Sequence, residues 1–387
     1  MKRKNNFYGV SIYVYILGIA SLINDISSEI VKPLLPFFLS ALGGGGIAIG
    51  LIGGLIDAVP KFFKVVVGYW SDKIGKRKIF VVYGYFLSFL AKITIPFVYA
   101  WQILLIVIPI ERIGKAIREA PRDVMITKYS DPKNKGKSFG VRKALDSAGA
   151  VIGSVMALLF LLTFKLKIRS IILIAGILSI GSVVALLFIK ETKEKGPKPK
   201  SFLKGIRFSR KFWFFVTIAS IFSLANFTYM FYILKASGKE DLGYLFLPVI
   251  FYILFNISYT LFSIPAGQSA DRFGKKRVLL IGYFVFSLTA LGFTIFTSFF
   301  TFILLFILYG LSYAIIETVQ ITIVADIAPK ERKGSAIGTF HTITGICLFL
   351  SSLIAGVIWV INPSFTFFYG FGISFLAMIL LAFFKIR

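Results

Sequence analysis

Long apolar runs alternate with short polar links from one end of the chain to the other. Each run holds about 20 residues or more, enough to cross the hydrocarbon of a bilayer as a helix. In the first half the runs lie near 9–40, 46–70, 79–98, 102–128, 137–164 and 168–190. In the second half they lie near 211–235, 242–270, 278–298, 301–327, 335–360 and 363–384. The pattern predicts an all-α integral membrane protein with twelve transmembrane helices. The most polar stretch, Lys190 to Lys211, contains Glu191-Thr-Lys-Glu-Lys-Gly-Pro-Lys-Pro-Lys200, a linker composition. It divides the chain into an N-terminal six-helix bundle (1–190), a linker (191–210) and a C-terminal six-helix bundle (211–387).

Composition agrees with the runs. Of 387 residues, 57% are hydrophobic and 16% charged, whereas a soluble domain is about a quarter charged. A net charge of +27 would fit a nucleic-acid partner, but most of the cations sit in the short links. The bilayer is therefore the expected partner, and nucleic acid is not. The cations at Lys2, Arg3 and Lys4, in the links around 73–78, 128–137, 272–277 and 330–333, in the linker, and at Lys385 and Arg387 fall on one side. The links near Gly43, Ala100, Ser298 and Pro363 carry none, while Lys165, Lys167, Arg169, Lys235 and Lys239 break the rule. The majority places both termini in the cytoplasm of a plasma-membrane protein. The first apolar run, interrupted by Asp25 and Glu29, is expected to be retained as a span rather than removed as a signal peptide. With Cys347 and His341 the only residues of their kinds, no internal disulfide and no Cys/His metal site can be built. No cofactor is expected.

One polar link occurs twice. Gly68-Tyr-Trp-Ser-Asp-Lys-Ile-Gly-Lys-Arg-Lys78 returns as Gly267-Gln-Ser-Ala-Asp-Arg-Phe-Gly-Lys-Lys-Arg277, about half a chain later. A second echo pairs Gly136-Lys-Ser-Phe-Gly140 with Gly334-Ser-Ala-Ile-Gly338, each after a turn holding Pro132 or Pro329. Such repeats mark two pseudo-symmetric bundles. Both links resemble the loop motif between the second and third helices of each half in the major facilitator superfamily, with Lys73 in the first copy where the family usually has Arg. The resemblance implies twelve helices in two bundles that rock about a midplane site. It also implies gating positions at Gly68, Asp72, Gly75, Arg77, Asp271, Arg272 and Gly274. Gly75 is expected to permit a turn that a Cβ resists. Asp72 and Asp271 are expected to pair with cations or helix N-termini.

Charges inside spans are costly and are functional hypotheses by default. Asp25 and Glu29 lie four apart on one helix face, and two carboxylates so placed in a dry site cannot both ionise cheaply. They are the proton-coupling candidates, with Glu317 of the second half. Asp57 and Lys61 share the same spacing and could form an internal ion pair. Arg112, Lys115, Arg118, Glu119, Arg122 and Asp123 fall within an arc of about 140° on the fourth span, so they must line a cavity or face other polar helices. Arg112 lies deepest and is a substrate-cavity candidate, with Asp57, Asn226 and Gln320. Arg122, Asp123, Arg142 and Asp146 are expected to cross-pair as a gate or clamp. The run from Arg112 to Asp123, followed by Phe139 to Asp146, resembles a group of prokaryotic facilitators that is itself similar to proton-linked exporters. Gly149 and Gly153 lack the Gly-Pro of the superfamily's drug antiporters, and their spacing reads as helix packing. His341 reads as a packed histidine, and the many Phe and Tyr residues as packing or lipid contacts.

The resulting expectation is a monomeric secondary transporter for a small solute, proton-coupled and exporting, working by alternating access. An organic-anion or phosphate-ester exchanger or uniporter is the alternative. A non-transporting receptor on the same scaffold is the alternative of another class. An enzyme is not expected: no Gly-x-Gly-Asp, His-Glu-x-x-His or phosphate-loop signature occurs.

Overall fold

The computed structural model describes residues 6–7, 9–131, 134–191, 208–238, 246–329 and 333–384. Side chains at 6, 7, 65, 68, 69 and 72 lie outside this description. So do residues 192–207 of the linker, the terminal cations, Pro132 and Lys239. The candidate gating positions Gly68 and Asp72 are therefore placed only by the backbone of their helix.

The first unit contains residues 1–34 and 62–202. A two-residue hairpin, β1 (Asn6–Phe7) with β2 (Val10–Ser11), precedes α1 (Ile12–Val31). The end of α3 (Gly46–Ile74) follows, then α4 (Arg77–Thr94), α5 (Trp101–Tyr129), α6 (Lys135–Leu162) and α7 (Ile168–Leu187). Val10, Val14, Leu17, Val81, Tyr85, Met125 and Leu186 form one apolar core of this unit. The second unit contains residues 35–61 and 203–387. It holds α2 (Leu35–Ala41), the first part of α3, α8 (Arg210–Ala225) and α9 (Met230–Ala236). It continues with α10 (Phe246–Phe273), α11 (Lys275–Ile295), α12 (Phe299–Ile327), α13 (Lys333–Ile361) and α14 (Pro363–Phe383). Residues 35–61 join this unit because α3 is bare enough to touch α13. A Cβ on Gly50 would lie 2.2 Å from the Ser352 carbonyl oxygen, and one on Gly356 would lie 2.5 Å from that of Gly46.

The protein is an all-α membrane protein of twelve spans in two bundles. Among the described residues, eleven stretches are long and apolar enough to cross a membrane. The twelfth span, α5, has 29 residues, about 44 Å of helix, but carries the polar stripe.

Two spans expected to be continuous are broken. The first, expected over 9–40, stops at Val31 and resumes at Leu35, because Pro33 and Pro36 cannot donate the hydrogen bonds that would continue α1. The seventh, expected over 211–235, opens at Asn226 (φ −94°, ψ 68°) with no proline. Its freed groups find side chains instead. The Leu224 carbonyl accepts from Ser351 Oγ at 2.6 Å and Tyr369 OH at 2.5 Å, and the Thr228 N–H donates to Ser352 Oγ at 3.0 Å. Protein groups here replace the partners that lipid cannot offer.

The repeated link turns on a glycine at positive φ in both copies. Gly75 has φ +71° and Gly274 φ +94°, values that cost an L side chain strain. Both sit where one long helix ends and the next begins.

Candidate functional site

In the first unit the stripe of α5 faces α1, α4 and α6, and its charges are distributed by contact. Glu119 meets Lys64 at 3.1 Å and Lys115 at 3.9 Å. Arg142 of α6 joins Asp123 at 3.3 Å and Asp146 at 3.0 Å, the cross-pairing expected between these helices. Arg122 donates to Ser21 Oγ at 2.6 Å and to Tyr85 OH at 3.4 Å, with Asp123 at 3.6 Å. Arg118 donates to Ser88 Oγ at 2.6 Å and lies 4.5 Å over the Tyr85 ring, so a π-face partners it. Arg112 is 7% exposed, and its Nε lies 2.7 Å from Glu111 Oε2. That pair is in Coulomb contact but is not aligned as a hydrogen bond.

The coupling candidates of α1 both face α6. Gly149 packs on Asp25 and Gly153 on Glu29, so the small-residue spacing does serve helix packing. Asp25 is half-buried, with Asp146, Lys115, Arg118 and Arg122 as its electrostatic neighbours. Glu29 is 7% exposed and pairs with Lys32.

Two residues of this cluster escaped the sequence reading. Glu111 precedes Arg112 on α5 and is buried. Lys92 of α4, 2% exposed, donates to Asn24 O at 3.2 Å, Asn24 Oδ1 at 3.1 Å and Ser27 Oγ at 3.1 Å. The signal for both was present, since each is a charge inside an apolar span.

The second unit holds a polar cavity of about 490 Å³, counted with its open mouth. Glu317 and Gln320 of α12, Asn226 at the break after α8, Lys61 of α3 and His341 of α13 line it, against apolar walls from Phe222 and Phe340. Tyr259 OH donates to Glu317 Oε2 at 3.0 Å, and Gln320 Nε2 donates to Tyr283 OH at 2.8 Å. Asp57 is an electrostatic neighbour of Tyr309 and Tyr313. Around them the aromatic rings are organised rather than scattered: Tyr232 stacks on Tyr309 at 4.3 Å, and Phe255 on Tyr309 at 4.9 Å. Thus Asn226, Glu317 and Gln320 converge on one cavity, with Asp57 beside its tyrosines. His341 lines the same cavity.

The gating candidates separate. Arg77 is buried at the start of α4. Asp271 and Arg272 are exposed at the end of α10, and Arg272 lies 5.2 Å over the Phe273 ring. The neighbouring cation Lys275 pairs with Asp326 of α12 at 2.5 Å.

Known proteins resemble this chain in sequence and fold. The chain is 41% identical over 387 residues to an uncharacterized MFS-type transporter of Methanocaldococcus jannaschii, covering 99% of this chain and 97% of the relative. It is 24% identical over 336 residues to the multidrug resistance protein MdtH of Photorhabdus laumondii, covering 84% and 81%. The solved nucleoside transporter NupG has the same fold, with a TM-score of 0.78 at 17% identity over 96% of this chain and 98% of that one. The family model described as Major Facilitator Superfamily matches residues 17–257 and 249–387. With almost the whole chain matched and a full-length relative of the same type, this protein belongs to the Major Facilitator Superfamily of membrane transporters.

Proposed function

We propose that this transporter is a proton-coupled exporter of a small solute, working by alternating access. The observation that carries the reading is Asp25, a carboxyl inside the α1 span, half-buried among Asp146 and the cations of α5. A carboxyl carried between dry and wet surroundings exchanges its proton with the side it faces. Glu29, held by Lys32, keeps the same helix face charged. Glu317, held by Tyr259, is the coupling acid proposed for the second unit. Asn226, Gln320 and Asp57 are the solute contacts of the second unit, and Arg112, in Coulomb contact with Glu111, is the candidate solute contact of the first. The clamp of Arg122, Asp123, Arg142 and Asp146 and the turns at Gly75 and Gly274 serve the conformational change. Export is favoured by the likeness to a multidrug resistance protein.

The test needs a solute, which a thermal-shift screen of the purified protein against metabolites and drugs supplies. Proton movement driven by that solute is then followed in proteoliposomes with an entrapped pH dye. Asp25→Asn, Glu29→Gln and Glu317→Gln are compared with wild type. Loss of gradient-driven accumulation with retained solute exchange supports the assignment. Accumulation by all three variants places coupling elsewhere. A second reading, an organic-anion or phosphate-ester exchanger, draws support from Arg118, whose described partners are a hydroxyl and a ring. In that case Arg118→Ala abolishes exchange and no proton follows the solute.

A further inference from the structure

Lys92 is a buried charge of the first unit that the transport reading does not use, 2% exposed and held inside its span by neutral oxygens. Its ammonium meets no carboxylate among its described hydrogen bonds. It is held by three neutral oxygens of α1: Asn24 O at 3.2 Å, Asn24 Oδ1 at 3.1 Å and Ser27 Oγ at 3.1 Å. Each oxygen is turned to accept. The Ser27 hydroxyl spends its proton on the Ala175 carbonyl of α7 at 2.7 Å, which leaves its lone pairs for the ammonium. Asn24 is 1% exposed and gives Lys92 its oxygen while its own Nδ2 finds no hydrogen-bond partner. Ser28 Oγ donates to the same Asn24 carbonyl at 3.0 Å. The groups in electrostatic reach of the ammonium are Glu111 and Asp25, which attract it, and Arg112 and Arg118, which repel it. A buried set of oxygens without a donor, with a carboxylate nearby, is what a hard cation requires.

We propose that Asn24 and Ser27 form a monovalent-cation site on α1 that the chain fills with its own Lys92 ammonium. The side chain of α4 stands where a free alkali cation would otherwise bind. The inference deepens the coupling proposal, because a tethered cation in this site leaves no place there for a transported sodium or potassium ion. It does not depend on which acid carries the proton. An ammonium group and a potassium ion are similar in size, so the emptied site favours potassium over the smaller sodium.

The experiment is thermal unfolding of purified protein in detergent at constant ionic strength, in chlorides of choline, sodium, potassium and methylammonium. Wild type is expected to melt at the same temperature in all four. Lys92→Ala is expected to melt lower in choline and to regain several degrees in potassium or methylammonium. Adding Ser27→Ala to Lys92→Ala is expected to abolish that recovery. Equal melting of Lys92→Ala in all four salts overturns the proposal, as does recovery that survives loss of Ser27. If Lys92→Ala does not fold, Lys92→Gln is measured in the same salts, because its shorter chain leaves the oxygens vacant without removing all packing. A wild type stabilised by potassium over choline also overturns it, since the site would then not be filled. None of these readouts involves transport, so they stand or fall apart from the coupling assignment.

Discussion

The contact between α1 and α6 sets a test with a calculable sign. Gly153 approaches α1 so closely that an added Cβ would lie 2.4 Å from the Ile26 carbonyl oxygen, 2.9 Å from Glu29 Cβ and 3.0 Å from Ile26 Cα. Ordinary contacts begin near 3.4 Å, so in Gly153→Ala the helices must separate by about 1 Å at this point. Two of the three obstacles are backbone atoms, which cannot swing aside as a side chain can. Overpacking of this kind costs about 1–3 kcal/mol. A backbone oxygen at 2.4 Å puts the cost in the upper half of that range, about 2–3 kcal/mol; alanine returns about 1 kcal/mol of helix propensity over glycine, and the net is a loss of about 1–2 kcal/mol. Gly140, on the same helix, has nothing within 4 Å of an added Cβ, so Gly140→Ala keeps the propensity gain alone. At about 2–4 °C per kcal/mol, Gly153→Ala should melt several degrees below wild type, and Gly140→Ala at or slightly above it. Intrinsic-fluorescence melting in detergent reads both. Because Gly153 rests on Glu29, the shift also moves the Glu29–Lys32 pair, and transport should fall with stability. If Gly153→Ala melts with wild type while Gly140→Ala behaves as expected, α1 and α6 do not pack through this face.

Ser352→Ala removes the acceptor of the buried Thr228 N–H at the break between α8 and α9, and an unpaired buried donor costs about 1–3 kcal/mol. The variant should melt lower, whereas Thr217→Ala, whose exposed hydroxyl back-bonds to Trp213 O within α8, should melt like wild type; equal melting of the two would mean that the break satisfies itself. Arg142→Ala leaves Asp123 and Asp146 without their shared cation. These partly exposed pairs are worth about 1 kcal/mol in all, and Arg142→Ala with Asp146→Asn should lose less than the sum of the single losses. Strict additivity in that double-mutant cycle would show that the 3.0 Å contact contributes nothing.

The sequence alone determined the membrane class and the number of spans, because a helix in lipid must satisfy its own backbone and be apolar for its whole length. Both requirements are written in consecutive residues. It determined the α5 stripe, since 100° per residue is a local rule, and the turns at Gly75 and Gly274, since a positive φ is a property of one residue. Hydroxyls supplied by other helices lay beyond local rules. Pro33 announces the first break, but the opening at Asn226 depends on Ser351, Ser352 and Tyr369, more than a hundred residues away. The same holds for charge. Spacing showed that Arg142 could reach Asp146 within a turn and the charges suggested cross-pairing with α5, but only packing selected Asp123 as the partner. Lys92 is a charge inside an apolar run, but the oxygens of Asn24 and Ser27 that hold it come from another helix. Residues 35–61 are contiguous with the first half in sequence, yet belong by contact to the second unit. Bare glycine faces on α3 and α13 allow a backbone approach that the hydrophobic pattern does not encode. Local periodicity decides which residues share a helix face; the partner of that face is set by the chain's long-range packing.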